Sequence, residues 1–203
     1  MNDKPKYNPY IHHRRSIRLK GYDYSQAGLY FITICCQDRV CRFGDVVGAN
    51  PCGRPEMILN EYGQIAYDEW VKLPKRFPNF ELDVFQIMPN HMHGIILLND
   101  IPVGAGFTPA QHYDDTNGQL PNGQNGQPQG IANTTVGDMV GAYKSLVANG
   151  CLEIYKRKNE MMGKLWQRNY YEHIIRNEQS YHRISEYIIN NPAKRADDKF
   201  YMK

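Results

Sequence analysis

The sequence predicts an α+β fold in which helices pack on one antiparallel sheet. Three observations lead there. Strand-like and helix-like segments follow the order strand, helix, strand, strand, helix; the two middle strands meet at Pro89-Asn90, a turn signal that makes them a hairpin; and residues 166–175 leave room for a further strand before a last helix.

Residues 29–36 (LYFITICC) are aromatic and β-branched, and read as a first, central strand. Residues 57–77 carry Ile58, Ile65, Tyr67, Trp70 and Val71 at helical spacing and predict a helix ending near Pro74 or Pro78. Residues 81–88 and 91–98 form the hairpin. Residues 101–131 are rich in Gly, Pro, Gln and Asn, with the triplet NGQ three times, and predict a flexible insertion that cannot bury enough apolar surface to order itself. A helix follows over 134–147, with Thr134 or Thr135 as N-cap, and another over 177–190, capped by Asn177 and stopped by Pro192. The domain therefore spans 21–192, between a basic arm at 1–20 and a charged tail at 193–203.

With 203 residues and 41% hydrophobic content, the chain suits one domain with a real core. It has no apolar run of membrane-spanning length and no secretory h-region, and its five cysteines lack CxxC spacing. Together these predict a cytoplasmic protein that neither crosses a membrane nor relies on disulfides. A net charge of +3 is small, but Lys4, Lys6, Arg14, Arg15, Arg18 and Lys20 crowd the first twenty residues. Such an arm can neutralise phosphates and release counterions, or simply be a solvated terminus.

Three features carry candidate chemistry. His91-Met92-His93 lies in a strand, whose side chains alternate between faces, so both imidazoles project to one side and could share a divalent cation; two hydrogen-bonded histidines on a sheet face would look the same. Tyr187 and Asn191 are four apart in a helical segment, which places a phenol and a ligand-type amide one turn from each other. Among fifteen tyrosines such a neighbour is uncommon: Tyr170, Tyr171 and Tyr143 have Ile174, Ile175 and Val147 at that offset. The tract 164–176 (KLWQRNYYEHIIR) mixes cations with aromatics, as surfaces do that hold single strands by stacking and phosphate contacts.

Taken in order, PNHMHGIILL, WQRNYYEHIIRN and EYIINNP resemble the HUH tyrosine transposases of the single-tyrosine insertion-sequence type, with REP-associated tyrosine transposases as the best-fitting subgroup. The resemblance runs from Gly21 to Pro192, except for the NGQ insertion. It implies a ferredoxin-like domain with the histidine strand central and the catalytic helix near the C-terminus. It also implies Mg²⁺ or Mn²⁺ held by His91, His93 and Asn191, with Tyr187 as nucleophile. The implied substrate is single-stranded DNA containing hairpins, cleaved and rejoined through a 5′-phosphotyrosine by a monomer or a homodimer. The expected DNA contacts are Arg14, Arg15, Lys144, Trp166, Arg168 and Arg176. Two other readings use the same residues. One is a domesticated protein that binds DNA hairpins without transposition. The other is a metal-dependent hydrolase in which His91 and His93 are joined by an acid such as Asp83 or Glu172.

Overall fold

The computed structural model describes residues 21–48, 55–100 and 134–194. The arm 1–20 with Arg14 and Arg15, the insertion 101–131 and most of the tail 193–203 lie outside the described residues.

Strand β1 (Gly28–Cys35) is followed by a short 3-10 turn at Gln37–Arg39, then a two-stranded ribbon, β2 (Gly44–Val47) and β3 (Glu56–Leu59). Next come helices α1 (Glu61–Val71) and α2 (Leu73–Arg76), the hairpin β4 (Phe80–Met88) and β5 (His91–Leu98), helix α3 (Val136–Arg157), strand β6 (Tyr171–Ile175) and helix α4 (Glu178–Ile189). The main sheet is antiparallel with spatial order β4-β5-β1-β6. Its first and third strands in sequence are the inner pair, the ferredoxin-like βαββαβ arrangement. The histidine strand is therefore central, as expected.

Both faces of this sheet are covered, and that makes the site possible. Alternation along β1 sends Tyr30, Ile32 and Ile34 into a core shared with Trp70 of α1 and Tyr143 and Val147 of α3. Phe31 points the other way, into a smaller cluster with Ile95, Ile175 and Ile184 and Ile188 of α4. Along β5, Met92 and Ile96 belong to the larger core, so His91 and His93 face the α4 side. Nearly the whole strand is buried in consequence, the two histidines at 1% exposure each.

Two expectations need correction. The segment 57–77 is not one helix: residues 56–59 pair with β2, Asn60 caps α1 by accepting from the amides of Tyr62 and Gly63, and the helix breaks at Lys72 before Pro74. Met57, Ile58 and Leu59 fit a strand as well as a helix, and a four-residue strand is too short to reveal its period. The further strand is shorter than 166–175, because Trp166 makes only an isolated bridge to Cys36 and regular pairing begins at Tyr171. The helix caps at Thr135 and Asn177 are as predicted, Thr135 in a reciprocal capping box with Asp138.

The reverse side of the histidine strand is tightly filled. A methyl group on Gly94 would lie 2.7 Å from Cζ2 of Trp70, an indole with no exposed surface. Gly94→Ala should therefore destabilise the protein by about 1–3 kcal/mol through overpacking, read as a lowered midpoint in urea unfolding. Unchanged stability would mean that Trp70 is free to shift.

Candidate metal and nucleophile site

The site begins with register. Cys35 pairs with His91 and Thr33 with His93, so Thr33 stands beside His93 on the α4 face. The Thr33 hydroxyl lies 2.8 Å from Nδ1 of His93. At the hairpin turn, the Asn90 amide is oriented by its Nδ2 donating to the Arg39 carbonyl at 3.1 Å, which leaves Oδ1 facing Nδ1 of His91 at 2.7 Å. A carbonyl oxygen can only accept, so His91 carries a proton on Nδ1 and turns its Nε2 toward His93. The two Nε2 atoms lie 3.0 Å apart. That distance is within hydrogen-bond reach, and with both rings neutral the same two nitrogens could instead turn toward one cation.

Two imidazole nitrogens this close could both reach one divalent ion. The imidazoles are buried and oriented through their second nitrogens, the usual way in which metal-binding histidines are held. No third His, Cys, Asp or Glu among the described residues joins them. The sequence-selected amide stands separately. Asn191 is 2% exposed, and its Oδ1 is buried without a hydrogen-bond partner, an acceptor in want of a donor or a cation.

The nucleophile candidate arrives from the opposite layer. Tyr187 on α4 brings its hydroxyl to 3.1 Å from Nε2 of His93 within the same chain. Its ring stands 5.1 Å from that imidazole and meets Phe31 edge-on at 6.3 Å, while Phe31 stacks on His93 at 5.4 Å. At 37% exposure, Tyr187 remains accessible to solvent. Asn191 lies just past the helix: α4 ends at Ile189, and Asn191 sits in a turn whose amide donates to the Ile188 carbonyl at 3.2 Å.

Other sequence-selected residues fare differently. Trp166 is no stacking platform: it is 9% exposed, packs against Phe43 and Tyr143, and donates Nε1 to the Lys144 carbonyl at 3.0 Å. Lys144 is committed internally, its Nζ donating to the carbonyls of Gln167 at 2.6 Å and Arg168 at 3.1 Å; burial lowers its pKa. Arg168 and Arg176 are exposed. Glu172 pairs with Ile32 and so lies on the face away from the histidines, while Asp83 sits at the β4 irregularity and accepts from the Val84 amide. Neither acid completes a histidine site. Asn90, Thr33 and Phe31 were not foreseen, although Thr33 is the one hydroxyl-bearing aliphatic residue in an otherwise apolar strand.

Fold and site define an α+β protein with a paired-histidine centre and an apposed tyrosine. No family model matches the chain. An uncharacterized protein of Haemophilus influenzae is 43% identical over 197 residues, spanning 97% of this chain and 98% of the relative; the two belong to one family. Among solved structures, the chain is similar to a REP-associated tyrosine transposase bound to a REP hairpin, with TM-score 0.49, 19% identity, and coverage of 90% of this chain and 76% of the other. It is also similar to a candidate transposase from Deinococcus radiodurans, with TM-score 0.42, 16% identity, and coverage of 85% and 95%.

If Asn90 holds the His91 tautomer, Asn90→Ala should weaken Mn²⁺ binding by about 10- to 100-fold while leaving the fold intact. Calorimetric titration with Mn²⁺ reads this directly, and an unchanged affinity would remove Asn90 from the site.

Proposed function

We propose that this protein is a single-tyrosine HUH transposase that cleaves and rejoins single-stranded DNA at hairpin-containing sequences. The observation that carries the reading is the Tyr187 hydroxyl at 3.1 Å from Nε2 of His93, itself 3.0 Å from Nε2 of His91. A phenol set against a buried imidazole pair has few structural justifications, because a core tyrosine would hide its hydroxyl and a surface tyrosine would leave the histidines alone.

In this reading His91, His93 and Asn191 hold Mg²⁺ or Mn²⁺. Bound there, such an ion would supply positive charge for the non-bridging oxygens of the scissile phosphate and would favour the phenolate. Tyr187 Oη attacks phosphorus, the bond from phosphorus to the 3′ oxygen breaks, the phenol gives up its proton and the departing oxygen gains one. The products are a 5′-phosphotyrosine and a free 3′-hydroxyl. Bond energy is conserved in the ester, so the 3′-hydroxyl of another strand can reverse the step without a nucleotide cofactor. Phe31 steadies the phenol by packing against both its ring and His93. The exposure of Tyr187 gives the substrate its approach. No described helix is long and apolar enough to cross a membrane, and we place the activity in the cytoplasm, where DNA is found.

The test is incubation with labelled, hairpin-flanked single strands and Mg²⁺, followed by denaturing electrophoresis. Wild-type protein should form a covalent adduct that disappears with EDTA and returns with Mn²⁺. Tyr187→Phe should reduce cleavage by more than about 10³-fold while retaining DNA binding. Cleavage by the Phe variant at a near-normal rate would point to activated water and sink the tyrosine mechanism. Binding by the wild type without any adduct would favour a hairpin-binding protein that does no chemistry.

A further inference from the structure

We infer that Tyr171 is the stacking platform for a nucleobase beside the scissile phosphate, an assignment that rests on the single-stranded DNA reading above. Trp166 is buried, so that role in the tract 164–176 passes to another ring. Tyr171 pairs in register with Thr33, the residue that touches His93, and alternation places it on the same face as the histidines. It is 41% exposed on a strand at the sheet's edge, and its ring meets Phe31 edge-on at 6.3 Å. Phe31 thus meets Tyr171, Tyr187 and His93 at once, and the two exposed tyrosines share this one aromatic neighbour.

The approach to Tyr171 is rigidly held. Gln37 donates its amide to the Leu165 carbonyl at 2.8 Å, and Gln167 donates to the Cys35 carbonyl at 3.0 Å. Lys144 then clamps the carbonyls of Gln167 and Arg168. These bonds tie the start of the β6 segment to the end of β1 that carries Cys35, the register partner of His91. A ring delivered by such a segment loses little freedom on stacking. The exposed Arg168 three residues earlier supplies a cation to the adjoining phosphate. Every base offers a π face, so the platform would accept single strands without reading their sequence. Paired bases in a duplex would be excluded, since their faces are already stacked.

The experiment measures binding of a short fluorescein-labelled single strand in the absence of divalent metal. Tyr171→Leu, which keeps apolar bulk on the strand but removes the π face, should raise Kd by about 5- to 150-fold, whereas Tyr171→Phe should stay within about twofold. In parallel, a strand carrying 5-iododeoxyuridine is irradiated on wild-type protein, and the cross-linked peptide should contain Tyr171. This arm needs no variant and therefore survives any folding defect. Equal affinity for the Leu variant, or cross-linking confined to other peptides, overturns the assignment. Wild-type protein that binds no single strand overturns both this inference and the proposed function. Cleavage by Tyr187→Phe would overturn only the tyrosine chemistry and leave the platform standing.

Discussion

The pairing of β5 with β1 is the constraint on which the rest of the site depends. Side chains in a strand repeat every two residues, so a slip of one position would turn His91 and His93 into the core beneath α1 and α3 and bring Met92 to the α4 face. The register is secured from both faces. On one, Met92 and Ile96 fit the large core and Gly94 admits the Trp70 indole. On the other, Ile95 packs with Phe31, Ile184 and Ile188. The same pairing that buries the apolar residues sets Thr33 against His93. Packing and the placement of the histidine pair are thus consequences of a single choice of register.

A buried histidine pair would be a liability in most proteins. Each imidazole nitrogen removed from water needs a partner, and an unmet polar group costs about 1–3 kcal/mol. Here the Nδ1 atoms are met by Asn90 and Thr33, which leaves the Nε2 atoms facing one another and the Tyr187 hydroxyl. The polar groups of the pair thus converge beside Tyr187, and the buried Asn191 Oδ1 is an acceptor without a hydrogen-bond partner just past the end of the tyrosine helix. Such concentration of polar groups in an otherwise apolar fold is expected of a functional site rather than of a structural one.

Much of this was legible in the sequence because the relevant signals are periodic. The HMH triplet declares its face by alternation, Asn177 and Thr135 declare helix starts, and the central hairpin is punctuated by Pro89-Asn90. What was missed had no period to offer. Strands β2 and β3 have four residues each, and Met57-Ile58-Leu59 merges visually with the helix that follows Asn60. Trp166 was misjudged for a different reason: charged neighbours suggest exposure, but Trp166 sits at an isolated bridge where the chain enters the core, and burial there follows tertiary packing rather than local composition. Asn90 was read only as a turn residue, since a tautomer lock becomes visible only when Arg39 is seen to orient its amide.

The two clusters also differ in what they ask of the chain. The core under α1 and α3 joins three tryptophan- and tyrosine-bearing elements and most of the buried aliphatic residues, whereas α4 rests on Phe31, Ile95 and Ile175 through Ile184 and Ile188, with Tyr181 at the margin. Helix α4 thus rests on the smaller of the two clusters. Its connection to β6 is short, only Arg176 and Asn177, which returns the helix to the same sheet. Phe31, common to the histidine, to Tyr187 and to Tyr171, is the contact through which seating of the helix and shape of the site are joined.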